Sequence, residues 1–283
     1  MDRTKRLETA LRDLEEAGRI GSAEVEYLLE AMQQEDSIEQ FFEELLHGRI
    51  SVNENDLIRR AKKLNLDLEA KWIVYHIQTA YPAEARELLG QMYSDPQEAV
   101  FLDGSPEMLR LLLMAAEKDV EQQAKEAAEQ IVSMINTELM EKVYVGYSDV
   151  CETITLQVAD AQAGMALEIL RTFYVERLEA GYGSLGIGRL IYSIQKEDCE
   201  AFLEEYFGEE HELELSEEEL QTVNKFFEKN LNISETARDL FMHRNTLVYH
   251  LEKLQKKTGL DIRRFDDAMT LKIALMVERF MNR

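Results

Sequence analysis

The sequence is short of everything that breaks or staples a chain. It has 3 prolines and 13 glycines in 283 residues. That is too few for long disordered linkers, or for a sandwich or barrel built of many tight turns. Its 2 cysteines, Cys151 and Cys199, stand far apart without ligand-like neighbours. This excludes a disulfide framework and a cysteine zinc site, and predicts two buried free thiols. No stretch reaches the roughly 18 apolar residues of a membrane span. The charged start, MDRTKRLETALRDLEE, contains no apolar signal region. A cytoplasmic protein with no membrane contact is expected. Positive charge is the other shortage, with 32 Lys/Arg against 56 Asp/Glu and a net charge of -24.

Taken whole, that charge speaks against nucleic acid as a partner. Taken along the chain, it does not. Residues 222–283 hold 12 Lys/Arg against 8 Asp/Glu, a balance of +4, which leaves -28 for the rest. The local field guides a polyanion, so the acidic majority should repel DNA while the last quarter accepts it. The 45% hydrophobic share supplies real cores. At roughly 100–200 residues per domain, the length predicts two domains, or three.

Apolar periodicity predicts helices through the first 50 residues, with Leu7, Leu11 and Leu14, then Val25, Leu28, Leu29 and Met32, then the run FFEELLHGRI after Ser37. This N-terminal segment is expected as a hairpin on the body or as a dimerisation arm. A further helix over 52–66 should face Leu57, Ile58, Ala61 and Leu64 inward. The period then changes. Lys71–Ile77 is β-branched and aromatic, as in a strand. Pro82 opens a helix to about Met92. Ala99–Leu102 and Leu109–Met114 flank the turn signal Asp103-Gly-Ser-Pro-Glu107, predicting a β-hairpin. A helix over about Val120–Leu139, a strand at Lys142–Gly146 and a long helix from Ser148 or Asp149 to about Leu178 follow. The glycine-rich stretch 181–188 then leads through Leu190–Ile194 to a helix at Lys196–Phe207. The fold class read from this order is α+β, with helices on a mainly antiparallel sheet. The acidic run from Gly208 to Glu214 marks a boundary, giving segments 1–50, 51–210 and 211–283.

The last segment is all helical. Ser216-Glu-Glu-Glu219 is a capping box whose helix puts Leu220, Val223 and Phe227 inward. Ser234 caps a short helix, Glu235–Leu240, that carries small Ala237. Phe241-Met-His243 leaves room only for a tight turn. Arg244–Thr258 forms a longer helix with Leu247, Leu251 and Leu254 inward, and Gly259 follows at its C′ position. A final helix, Asp267–Met281, is apolar around most of its girth and should be buried. The 234–258 stretch has helix-turn-helix proportions. The candidate DNA contacts are Ser234, Thr236, His243, Arg244, Asn245, Thr246, Tyr249, His250, Lys253 and Lys257. Arg and Asn suit bidentate contacts to base edges. Thr, Tyr and Lys suit phosphates, and the helix N-terminus adds its dipole.

The segment from Leu231 to Leu260, with His-Arg-Asn-Thr-Leu at 243–247, Tyr249 and Thr-Gly-Leu at 258–260, resembles the C-terminal helix-turn-helix of the PucR/CdaR family of bacterial transcription regulators. The family usually has Arg after that Tyr, where this chain has His250. The resemblance extends over roughly 40–283. It implies that the middle segment is a degenerate relative of the GGDEF (diguanylate cyclase) domain, with its hairpin loop at 103–107. That loop lacks the paired Gly and the Asp-Glu that bind substrate and metal, and strand Trp72–Ile77 has no acidic residue to hold magnesium. A non-enzymatic scaffold is therefore expected. The resemblance also implies a dimer on double-stranded DNA at a metabolic operon, with a small-molecule metabolite as a possible effector. The other function class in view is a signalling or scaffold protein that has lost DNA affinity.

Two smaller signals carry less. Gly181-x-Gly183-x-x-Gly186 matches a dinucleotide fingerprint, but the expected element before it is a helix, which argues for a plain loop. His243 and His250 are two helical turns apart without further ligands. No metal and no cofactor are expected.

Overall fold

This computed structural model describes residues 21, 25, 38–48, 54–115, 118–174, 177–208, 213 and 215–282. The expected helices at 7–14 and 25–32 lie outside these residues, except for Val25, which is helical and buried. The chain forms two compact units that divide between Leu185 and Gly186. The division precedes the boundary read at 210/211. Helices Ile187–Tyr192 and Lys196–Phe207 pack on the C-terminal helix Phe265–Met281, with the Tyr192 and Phe280 rings 5.7 Å apart.

The first unit is built on a six-stranded sheet. Strand β1 (Lys71–Gln78) is central, flanked by the hairpin β2 (Ala99–Asp103) and β3 (Met108–Met114) on one side and β4 (Tyr144–Tyr147) on the other. The order is β2-β3-β1-β4-β6, where β6 is Glu179–Gly181 and the two-residue β5 (Cys151–Glu152) pairs the start of β1. Only β4 and β6 run parallel. Helices cover both faces, which is why β1 reads as a continuous apolar run and not as an alternation. Ile73, Tyr75 and Ile77 face helices Pro82–Met92 and Val120–Leu139. Trp72 and Val74 face residues 38–46, Glu54–Lys63 and Leu156–Phe173. Phe41, Phe42 and Leu45 of the FFEELL run sit in that second layer, and Phe42 meets the Trp72 ring edge-on at 5.1 Å.

Several expectations are corrected here. No helix starts at Ser148. Cys151–Glu152 pairs with β1, Thr153–Thr155 is a 3₁₀ turn held by a Glu152/Thr155 capping box, and the helix runs Leu156–Phe173. The helix also stops short of Leu178, because Glu179–Gly181 is the edge strand β6. Three residues are too few to show a period of two. The glycine-rich stretch therefore follows a strand after all, although β6 is too short to open a dinucleotide fold. Packing explains two of its glycines: a Cβ at Gly181 would come within 2.5 Å of the Tyr147 ring, and one at Gly183 within 2.8 Å of Asp149, whereas Gly186 is in open space at φ 51°. Ile58, expected inward, is exposed. Both thiols are free, but Cys151 is only half-buried, and burial pushes its thiol up to about 12.

In the second unit, helices Glu217–Glu228, Ile233–Asp239, Arg244–Thr258 and Phe265–Met281 surround Val223, Phe226, Ala237, Leu247, Leu251, Leu254 and Leu271. The first of these helices turns Phe226 inward in place of Phe227, and Leu220 is half-buried. The last begins at Phe265 and buries Ala268, Leu271 and Ala274–Val277.

Candidate nucleic-acid interface

The short helix begins two residues earlier than its serine suggests. Asn232 is the N-cap, and its side-chain oxygen accepts from the Ser234 and Glu235 N–H groups at 3.0 and 3.2 Å. The signal was Asn-x-x-Glu, a cap followed three residues later by an acid, two residues ahead of Ser234. Such a cap contributes about 1 kcal/mol. The helix closes through Phe241 N–H to Arg238 O at 3.2 Å and Met242 N–H to Ala237 O at 2.9 Å. That pair of bonds is a Schellman-type close. Buried Ala237 lets the next helix approach.

That next helix, Arg244–Thr258, has the expected bounds. His243 is its N-cap, with Nδ1 accepting from Asn245 N–H at 3.2 Å. This bond requires an unprotonated Nδ1, so neutral His243 carries its proton on Nε2. Gly259 closes the helix in the left-handed region, φ 76°. Leu247, Leu251 and Leu254 bury its inner stripe. On the outer face, Arg244, Asn245, Thr246 and Tyr249 are exposed. Within the described residues no ion pair engages Arg244, and its side chain lies at the positive end of the helix dipole.

The remaining candidate contacts are placed differently. Ser234 is exposed. Thr236 is withdrawn: it is fully buried, and its hydroxyl donates to Asn232 O at 2.8 Å. Lys253 and Lys257 lie 3.3 and 3.1 Å from the two carboxylate oxygens of Glu219, and His250 Nδ1 is 3.9 Å from Glu218. The two lysines tie the Arg244–Thr258 helix to the first turn of Glu217–Glu228. Glu219 also accepts from Ser216 N–H at 3.0 Å, completing the expected capping box. That backbone bond, with the two ammonium groups, outweighs desolvation and holds the Glu219 carboxyl at about 2. Arg238 and Lys256, exposed on the two helices, were not among the residues singled out from sequence.

In the first unit the 103–107 turn connects β2 to β3 as expected. Asp103 pairs with Arg86, which also meets Glu39. A cavity of about 800 Å³ lies between this turn and the start of the Pro82–Met92 helix, and another of about 800 Å³ lies at the ends of β4 and β6. Among the described residues, no three His, Cys, Asp or Glu side chains come together to hold a metal ion, and no helix is long and apolar enough to cross a membrane.

Residues 220–277 match the PucR C-terminal helix-turn-helix domain. The chain carries a PucR-type helix-turn-helix. The match runs from within Glu217–Glu228 to within Phe265–Met281 and takes in Ile233–Asp239 and Arg244–Thr258 whole. The purine catabolism regulatory protein of Bacillus subtilis (strain 168) is 27% identical over 158 residues, which are 54% of this chain and 29% of that protein. The carbohydrate diacid regulator of Escherichia coli (strain K12) is 40% identical over 58 residues, 20% of this chain and 15% of that protein. The chain thus spans under a third of these relatives' length. A crystal structure of a regulator of polyketide synthase expression from Bifidobacterium adolescentis superposes with a TM-score of 0.40 at 17% identity, over 87% of this chain and 94% of that one.

Proposed function

We propose that this protein is a sequence-specific DNA-binding regulator of transcription that acts as a homodimer through its PucR-type helix-turn-helix. The observation that carries the reading is the first turn of the recognition helix. Arg244 and Asn245, side chains able to pair two hydrogen bonds with a base edge, stand exposed there on a capped helix end. Dimerisation follows from the small footprint of one such helix, since two-fold pairing doubles the contacts on a palindromic site. The two named relatives are a purine catabolism regulator and a carbohydrate diacid regulator, which supports a metabolic operon as the target. The first unit is a non-enzymatic body, and its two cavities are large enough for a metabolite effector.

One observation favours the alternative, a scaffold protein without DNA affinity. Lys253 and Lys257, suited to phosphate, already share the Glu219 carboxylate. Footprinting on the DNA upstream of the protein's own gene separates the two. A dimeric regulator protects two half-sites about one helical turn apart, roughly 34 Å. No protection at low salt, with or without candidate metabolites, supports the scaffold.

A further inference from the structure

Phe241 is the first residue of the turn between the two helices, and two of its features are costly. Its φ is 52°, a left-handed conformation that glycine adopts freely and a bulky side chain resists. The turn needs that φ, because it brings the Phe241 and Met242 N–H groups back onto the short helix. Glycine would serve at lower cost. The ring is also 98% exposed, whereas Phe226 of the same unit is fully buried. Folding therefore gains nothing from this phenyl group and is taxed by its backbone. Its surroundings supply a reason for it. His243, two residues on, caps the recognition helix, and Arg244 and Asn245 are exposed immediately after.

We infer that Phe241 is an apolar DNA contact of the helix-turn-helix, covering a thymine 5-methyl group at the rim of the major groove. The inference rests on the DNA reading proposed above. The thymine methyl is the one apolar feature that base edges offer in the major groove, and phenylalanine is among the side chains that meet it. A phenyl ring has no donor for phosphate, so its gain comes from removing apolar surface from water. Binding recovers what folding leaves exposed.

Met140 is a matched control. It stands at the C-cap of Val120–Leu139, in the other unit, with φ 52° and 93% exposure. Glycine there relieves the same backbone strain without the neighbouring recognition helix.

The test uses the full chain as wild type, Phe241→Gly and Met140→Gly. Each is titrated onto the DNA fragment upstream of its own gene, and onto the same fragment made with deoxyuridine for thymidine, which removes only the methyl. Both glycine variants should melt at or above the wild-type temperature. Phe241→Gly should bind the thymidine fragment about fivefold more weakly. Wild type should lose a similar factor on deoxyuridine, and Phe241→Gly should be indifferent to it. Met140→Gly should bind as wild type does. The inference is overturned if Phe241→Gly binds like wild type, keeps the full deoxyuridine penalty, or melts below wild type. A wild type that binds neither fragment at low salt refutes the DNA reading itself, a separate outcome.

Discussion

Glu219 shows how one carboxylate can both build a domain and occupy the lysines that the proposed DNA contact would use. It completes the capping box of Glu217–Glu228 and also draws in Lys253 and Lys257 from the recognition helix. Its carboxyl is held at about 2, below its unfolded value of 4.5. A depressed pKa stabilises the fold above the unfolded value, and the gain disappears as pH falls through the folded one. Glu219→Gln should therefore cost about 1 kcal/mol near pH 7, on the scale of one lost cap. The gap from wild type should close between about pH 4.5 and 2, read as urea midpoints across that range. A gap that stays constant into acid would show that the charge plays no part. The same pairing ranks the lysines. Lys256→Ala should lower the salt slope of DNA binding by about one unit, since a phosphate contact releases one counterion. Lys257→Ala should lower it less, because its ammonium begins neutralised. The reverse ranking would mean that Glu219 lets go on binding.

Among the elements, β4 and the helix Leu156–Phe173 approach closely at Gly146. A Cβ at Gly146 would stand 2.3 Å from Leu167 N and 2.6 Å from Ala163 O. These are backbone atoms that no rotamer change can move. Gly146→Ala should therefore destabilise the first unit by about 3 kcal/mol, at the upper end for overpacking. Unchanged thermal unfolding would show that the helix can lift off the sheet without cost. This contact could not be read from the strand sequence, where Gly146 sits between Val145 and Tyr147 like any small residue. What the sequence did show were long elements with a clear period or a strong punctuating residue: the β2–β3 hairpin around Gly104 and Pro106, the helix opened by Pro82, and the recognition helix bounded by His243 and Gly259. What it hid were short pieces held by partners distant in sequence. Cys151–Glu152 becomes a strand only because β1 lies beside it, and Glu179–Gly181 only because β4 does. In the site, the outward face of Arg244–Thr258 was legible because the leucine stripe defines it by elimination. The burial of Thr236 and the capture of Lys253 and Lys257 were not, because they depend on Asn232 and Glu219 from outside that helix.

At the scale of the molecule, charge and symmetry govern. Residues outside 222–283 carry a balance of -28, so any pose that brings them near a phosphate backbone is penalised, more so at low salt. A DNA-bound dimer must present its two recognition helices away from that charge. Light scattering at micromolar concentration should give twice the 32.8 kDa of one chain, and particles of single-chain mass alone would count against pairing. Incubation with GTP and magnesium should yield no cyclic dinucleotide, because the two carboxylates of the turn Asp103–Glu107 are not adjacent and Asp103 is paired with Arg86, which does not suit two-metal phosphoryl chemistry. Product formation that is lost on changing Glu107 would contradict a non-enzymatic body. The most direct test of the central claim, that the recognition helix reads DNA sequence, is the affinity of wild type and Arg244→Ala for the protected upstream fragment and for unrelated DNA of equal length, across a salt series. Sequence reading predicts that Arg244→Ala loses about 1–3 kcal/mol on the protected fragment and much less on unrelated DNA. Equal affinities of the two proteins for both DNAs at every salt concentration would contradict it.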